Sequence, residues 1–257
     1  MEAYAGQPAD VSSSAAQLYA DSQADGAGAV EALQVGSPIP DFTADSSAGE
    51  IEFYVEIDGG WSLFVTFHKT FDAVATTEVA ALAKLADEFA DRGVKVIANV
   101  CNTKTNNDKW AKECAEMGDC QITFPIVADP RNTGAREPEG SGPLLESAGA
   151  NAPRQATLVV IADPSRTMRF IQQYPATTGR NFEEIVRMVD ALQLTTDTPL
   201  ATGVNWMVGE DVFIDSSVGA DDAKALFPKG FVEIKPWFRI TAPPDPPQPA
   251  SSSALAA

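Results

Sequence analysis

An amphipathic helix between two buried strands constrains the fold of this chain more than any other feature. The apolar segments WSLFVTF (61–67) and VKVIANV (94–100) have the length and composition of buried strands. Residues 75–93 between them carry apolar side chains at helical spacing and end at a glycine. Strands that alternate with helices in this way predict an α/β fold, with a mixed central sheet flanked by helices.

Further segments continue this alternation along the chain. The remaining predicted strands lie at 51–57, 124–129, 156–163, 167–174 and 211–214. The remaining predicted helices lie at 106–118, 181–194 and 220–227. The α/β pattern therefore extends from residue 51 to about residue 194, and a smaller unit follows it.

Composition divides the chain into four parts. Residues 1–34 are rich in Ala, Ser, Asp, Gly and Gln without a sustained apolar period, which predicts a low-complexity arm. The main domain is predicted at 35–195 and a small C-terminal domain at 196–241. Residues 242–257 are proline-rich and then small and polar, which predicts an extended tail without a core.

The charge balance excludes two classes of partner. The chain has 18 basic and 36 acidic residues, and its net charge is −18. Such a surface repels nucleic acids and anionic membranes, so neither is predicted to bind. No apolar run approaches the roughly 18 residues that a membrane-spanning helix needs. Glu2 and Asp10 stand where a secretory signal would be basic and then apolar, so an intracellular location, cytoplasmic or organellar, is predicted.

The few cysteine and histidine side chains limit disulfide and metal chemistry. The chain has three cysteines, Cys101, Cys114 and Cys120, and a single histidine, His68. Three unevenly spaced cysteines cannot form a disulfide framework, which indicates a reducing compartment. Without a CxxC motif or a second histidine, no structural zinc site is predicted. We also predict no cofactor.

Five segments resemble the 1-Cys peroxiredoxins, in the same order and at that family's spacing. They are VGSPIPDFTADS (35–46), FDAVATTE (71–78), FPIVADP (124–130), YPATTGRNFEEIVRMVDALQLT (174–195) and LFPKGF (226–231). The resemblance extends from about residue 35 to residue 241, and the 22-residue run is its most specific part. It implies a thioredoxin-like fold followed by the small C-terminal domain of that subfamily.

The resemblance also implies where the family's peroxidatic site would lie. In that family a thiolate at a helix N-terminus attacks the O–O bond of a peroxide, supported by the pattern Pro-x3-Thr-x2-Cys and a distant arginine. The four corresponding positions here are His68, Asp72, Ala75 and Thr157, so all four residue types are replaced. Alanine has no nucleophile, and Asp72 would raise the pKa of a nearby thiol. We therefore expect this site to be inactive as a peroxidase.

Two supporting residues of the family's site are retained, Glu78 and Arg180. In the family they form a carboxylate–guanidinium pair behind the site, and the resemblance implies the same pair here. A simpler interpretation makes Glu78 a first-turn acid that interacts with the helix dipole, and Arg180 a charge near a helix cap.

Two functions of different class remain open. The first is a non-catalytic peroxiredoxin homologue that acts as a binding or structural subunit. Its partner would be a second copy or a larger assembly, bound through residues 1–34, 131–155 and 242–257. Glycines and prolines fill residues 131–155, where the family continues with a helix. Relatives also pair the edge strand equivalent to 167–174, which implies a homodimer.

The second function is a residual thiol-dependent, peroxide-reducing antioxidant enzyme. Its nucleophile would be Cys101, at the end of a predicted strand, or the pair Cys114 and Cys120. The simpler interpretation makes Cys101 a small buried apolar residue and the other two free thiols. A working peroxidatic thiol must be accessible and partly ionised at neutral pH, which distinguishes these interpretations.

Overall fold

Two β-sheets with flanking helices form the fold in this computed structural model. The structure describes residues 33–100, 102–128 and 156–244. Four sequence predictions fall wholly or mostly outside these residues: those for the 1–34 arm, Cys101, the 131–155 loop and the 242–257 tail.

The first sheet has seven strands in the order β2-β1-β5-β4-β3-β6-β7. These are β1 (Thr43–Ser46), β2 (Gly49–Glu52), β3 (Trp61–Phe67), β4 (Val94–Val100), β5 (Ile126–Ala128), β6 (Ala156–Ala162) and β7 (Met168–Pro175). Strand β4 runs parallel to β3 and β5, and the other pairings are antiparallel. The predicted mixed sheet is thus confirmed, with the segment predicted at 167–174 as an edge strand.

Six helices accompany the strands in the described residues. They are α1 (Phe53–Glu56), α2 (Ala73–Lys84), α3 (Ala86–Asp91), α4 (Lys104–Gly118), α5 (Phe182–Thr195) and α6 (Ala220–Leu226). Strand β3 is mostly apolar because both of its faces are covered. Leu63 and Val65 pack in a core with α2 to α5, whereas Phe64 packs on the other side against Phe42 and Phe53.

The prediction of a single strand at 51–57 is wrong. Strand β2 ends at Glu52, and the chain then forms the helical turn α1. A continuous strand would bury Phe53, Val55 and Ile57 together on one face. In the structure Phe53 and Ile57 are buried and Val55 is exposed, which is helical spacing because residues four apart share a helix face.

The prediction of a single helix at 75–93 is also wrong. Helices α2 and α3 meet at Leu85, whose backbone leaves helical geometry at φ −99° and ψ 5°. Its N–H donates to the carbonyl of Leu82, three residues earlier, in a tightened last turn. The break leaves Phe89 fully buried in the same core as α2.

The second sheet is smaller and has the order β10-β11-β9-β8. Its strands are β8 (Leu200–Ala201), β9 (Val212–Ile214), β10 (Val232–Lys235) and β11 (Phe238–Thr241). A separate apolar cluster joins it to α5, where Ala191 packs with Leu200, Trp206 and Val212. The predicted boundary between residues 195 and 196 coincides with the end of α5, and the division into domains stays a prediction.

Candidate functional site

The N-terminus of α2 lies just beyond the end of β3, where the sequence predicts a degenerate peroxidatic site. The loop turns at Phe71, whose φ is 56°, and Asp72 then caps the helix with extended backbone angles. The Asp72 Oδ2 accepts a hydrogen bond from the Ala75 N–H at 3.0 Å. The Ala75 methyl group is buried in the core shared with Phe67 and Val79.

This cap controls the electrostatics at position 75. A first-turn N–H normally attracts negative charge, but the Asp72 carboxylate already accepts from this one. A second anion at position 75 would lie next to that carboxylate and would be repelled by it. Position 75 therefore has neither a nucleophile nor a free N–H of its own to stabilise one.

The structure places the other two positions of the pattern, His68 and Thr157, in a loop and on a strand. His68 is half-buried in the loop directly after β3. Thr157 is buried on β6, and among the described residues its hydroxyl finds no hydrogen-bond partner. The resemblance places an arginine at that position, so an uncharged group stands where a cation would stabilise a departing oxygen.

Behind α2, Glu78 and Arg180 form the carboxylate–guanidinium pair that the resemblance implies. Arg180 Nε donates to Glu78 Oε1 at 2.8 Å and Nη2 donates to Oε2 at 2.7 Å. The backbone N–H of Arg180 also donates to Oε1, at 2.8 Å. The Glu78 side chain is 4% exposed and the Arg180 side chain is 0% exposed. This bidentate arrangement excludes the simpler interpretation of two unrelated surface charges.

Arg180 also connects strands β3 and β6 through hydrogen bonds to their backbone carbonyls. Its Nη1 donates to the carbonyl of Thr66 at 2.9 Å and to that of Leu158 at 3.2 Å. The guanidinium lies over the rings of Phe67, 4.8 Å from the centroid, and Phe182, 5.5 Å from the centroid. One side chain thus links β3, β6, α2 and the start of α5.

A second contact to α2 comes from α4, and sequence reasoning missed it. Trp110 Nε1 donates to Thr76 Oγ1 at 3.0 Å, and the indole packs edge-on against Phe67. Cys114, one turn further along α4, is buried in the same core. Burial raises the pKa of the Cys114 thiol to about 11, although a hydrogen bond with Thr76 acts in the opposite direction.

Cys120 is the second residue after α4 and is half-buried. Asp119 caps the C-terminal end of α4 in the left-handed conformation at φ 47°, and the Cys120 Sγ lies 4.0 Å from the carbonyl oxygen of Cys114. Cys114 and Cys120 are both free thiols. The remaining candidate, Cys101, lies outside the described residues, and no group of side chains that could hold a metal ion occurs within them.

Comparisons with known proteins agree with this architecture. A sequence model of the AhpC/TSA family matches residues 35–168. The chain is 37% identical to "1-Cys peroxiredoxin" of Dictyostelium discoideum over 215 residues, which cover 83% of this chain and 86% of the relative. It is 36% identical to "Peroxiredoxin PRX1, mitochondrial" of Saccharomyces cerevisiae over 211 residues, covering 81% of this chain and 80% of that protein.

A solved structure gives the same result. The structure of a yeast mitochondrial 1-Cys peroxiredoxin is similar with a TM-score of 0.71 and 35% sequence identity, covering 82% of this chain and all of that chain. The predicted thioredoxin-like α/β fold is confirmed by this match. With the seven-stranded mixed sheet and the retained pair behind α2, these findings show that the chain belongs to the AhpC/TSA family of peroxiredoxins and is a homologue of its 1-Cys members.

Proposed function

We propose that this chain is a peroxiredoxin homologue that no longer reduces peroxides and acts as a binding or structural subunit. One observation carries the proposal. Ala75 has only a buried methyl group, and its backbone N–H donates a hydrogen bond to the Asp72 carboxylate. A peroxidatic site needs a thiolate there and positive potential around it. Thr157 supports the same conclusion, because it stands where the family has an arginine and carries no positive charge.

The described cysteines give little support to a relocated thiol. A peroxidatic cysteine must be accessible and ionised, whereas Cys114 is fully buried and its pKa is raised to about 11. At pH 7 a thiol with that pKa is ionised in only about one molecule in 10⁴. The residual enzyme would therefore depend on Cys101 or Cys120.

A peroxide-exposure experiment tests the proposal directly. The reduced full chain is treated briefly with slightly more than one equivalent of hydrogen peroxide, and intact mass and peptide mapping locate any added oxygen or disulfide. We expect no selective oxidation at neutral pH, while an active 1-Cys relative treated alongside is oxidised. Because Cys114 is buried and its pKa is raised, its thiol should stay unoxidised at neutral pH.

Rapid, selective oxidation at neutral pH would contradict the proposal and support the thiol enzyme. The variants Cys101→Ser and Cys120→Ser would then identify the nucleophile, because the substitution that removes peroxide consumption marks it. Cys114→Ser serves as the matched control, since its buried thiol should contribute nothing at neutral pH.

The small sheet offers a surface for the proposed binding role. Its four strands place Val232, Ile240, Phe213 and Ala201 in one row of register partners. All four are apolar and none is buried. Aromatic contacts extend this row from Phe213 to Phe238 on β11, and from Phe238 to Trp237 in the turn before it. A sheet face of this composition is normally covered in a working protein.

We propose that a second copy covers this face, in a homodimer that also pairs β7 at the edge of the large sheet. The prediction is that Trp237→Glu shifts the protein from dimer to monomer in sedimentation at micromolar concentration. Trp237 is 67% exposed, so its replacement should not affect folding. Met117→Glu is the matched control, because Met117 is 77% exposed on α4. A wild-type protein that sediments only as a monomer would contradict the dimer.

The other interaction segments stay proposals of the same kind. They are residues 1–34, 131–155 and 242–257, which set this chain apart from the segments it shares with the family. An intracellular location is likewise proposed. In the described parts of the chain, no helix combines the length and the apolarity needed to cross a membrane.

A further inference from the structure

Two apolar hollows lie side by side where the small sheet meets its surroundings. The first, of about 280 Å³, lies between β8, the end of α6 and the end of β11. The second, of about 350 Å³, lies between α5 and the loop that carries Trp206 and Val208. Pro243 and Pro244 line both hollows, so the chain after β11 passes along the ridge between them.

The direction of the chain along this ridge follows from the lining residues. Residues 241–244 all line the first hollow, but only 243 and 244 also line the second. The chain therefore leaves the first hollow and heads towards the second. The sequence continues as Asp-Pro-Pro-Gln-Pro over residues 245–249. At about 3.1 Å per residue in the extended proline conformation, these five residues span roughly 15 Å.

The walls of the second hollow suit a proline-rich segment. Leu194 and Trp206 supply apolar surface, and Val208 beside them is 66% exposed. The one carboxylate in the wall, Asp190, is already paired with Arg92 at 2.6 Å. Proline-rich segments bind apolar and aromatic grooves readily because their extended form is largely preformed before binding.

We propose that residues 245–249 lie in the second hollow of their own chain. They would cover Val208 and connect the small sheet to α5 of the large domain. A partner that binds the proline-rich tail would then compete with this intramolecular contact. The tail would thus be presented only when it leaves the hollow.

Hydrogen exchange of the amides at 204–210 tests the proposal. The full chain is compared with a chain that ends at Pro244, which keeps both ridge prolines but lacks the segment proposed to bind. We expect exchange at 204–210 to be about tenfold faster in the shortened chain, since a local contact that opposes opening is lost. A chain that ends at Ala250 is the matched control and should exchange like the full chain.

A point substitution separates loss of the contact from loss of chain length. Val208→Lys in the full chain should reproduce the faster exchange, because it puts a charge into the apolar groove. In the chain that ends at Pro244 the same substitution should add little. Equal exchange in the full chain and the Pro244 chain would overturn the proposal. Protection that depends on protein concentration would also overturn it, because the tail would then occupy the hollow of another copy.

Discussion

Asp72→Thr combined with Ala75→Cys is expected to give a protein whose introduced thiol is oxidised by peroxide, whereas Ala75→Cys alone should react about 10 to 100 times more slowly. In the single variant the Asp72 carboxylate still accepts from the N–H of residue 75 and disfavours a thiolate beside it. Threonine can cap the helix without that charge, so the double variant keeps the helix start and frees the site electrostatically.

The reaction to be measured is a single two-electron step. The introduced thiolate attacks one peroxide oxygen, the O–O bond breaks, and the products are a sulfenic acid and hydroxide, which takes up a proton. Stopped-flow peroxide consumption gives the rate, and the pH dependence of alkylation gives the pKa of the introduced thiol. Adding Thr157→Arg should raise the rate further, because a cation there would stabilise the departing oxygen.

Equal rates for the single and double variants would show that Asp72 is not what blocks the site. Such a result would indicate that the buried surroundings of Ala75, or the missing cation at Thr157, limit the reactivity of the introduced thiol instead. Peptide mapping is needed in both cases, so that oxidation at the three natural cysteines is not counted as activity of the introduced one.

Arg180→Met is expected to lower the free energy of unfolding by about 3 to 5 kcal/mol. The substitution leaves the Glu78 carboxylate buried without its partner, and it removes the donor to the carbonyls of Thr66 and Leu158. Unsatisfied buried polar groups are costly because they have lost water without gaining another partner. Urea unfolding monitored by far-UV circular dichroism measures the change.

A second paired arginine, which is less buried, shows whether the loss of unfolding free energy in Arg180→Met reflects burial of the ion pair. Arg92 pairs with Asp190 and Glu88 on a partly exposed surface, so Arg92→Met should cost only about 1 kcal/mol or less. Glu78→Gln and the double variant Glu78→Gln/Arg180→Met complete a thermodynamic cycle. A coupling energy near zero would show that the pair itself does not stabilise the fold, and that Arg180 acts through the two carbonyls alone.

Local periodicity predicted the strands and helices that bury one or two whole faces. Strands β3 and β4 and helix α5 were found this way, since their apolar residues repeat over seven residues or more. Periodicity did not predict the turn α1 or the break at Leu85, because both depend on packing against residues distant in the sequence. Strand β8 has only two residues, too short to show any period, whereas β9 lies within the strand predicted at 211–214.

The site shows the same division between local and distant information. The resemblance indicated that Ala75 and Asp72 stand at a helix terminus, and the structure places them there. Only the structure shows which backbone N–H the Asp72 side chain accepts from, because that depends on the orientation of the side chain. Contacts such as Arg180 to Thr66, 114 residues apart, arise only when the strands and helices are assembled.

The Asp72 cap has a consequence for how this lineage could change. Aspartate caps a helix somewhat better than threonine, so the present residue favours folding at a position where catalysis would disfavour it. A cysteine introduced at position 75 would gain little reactivity beside the carboxylate. A neutral cap that appeared first would bring no activity and a slightly weaker helix start. Neither step is advantageous by itself, so peroxidase chemistry at this helix terminus would be difficult for natural selection to introduce.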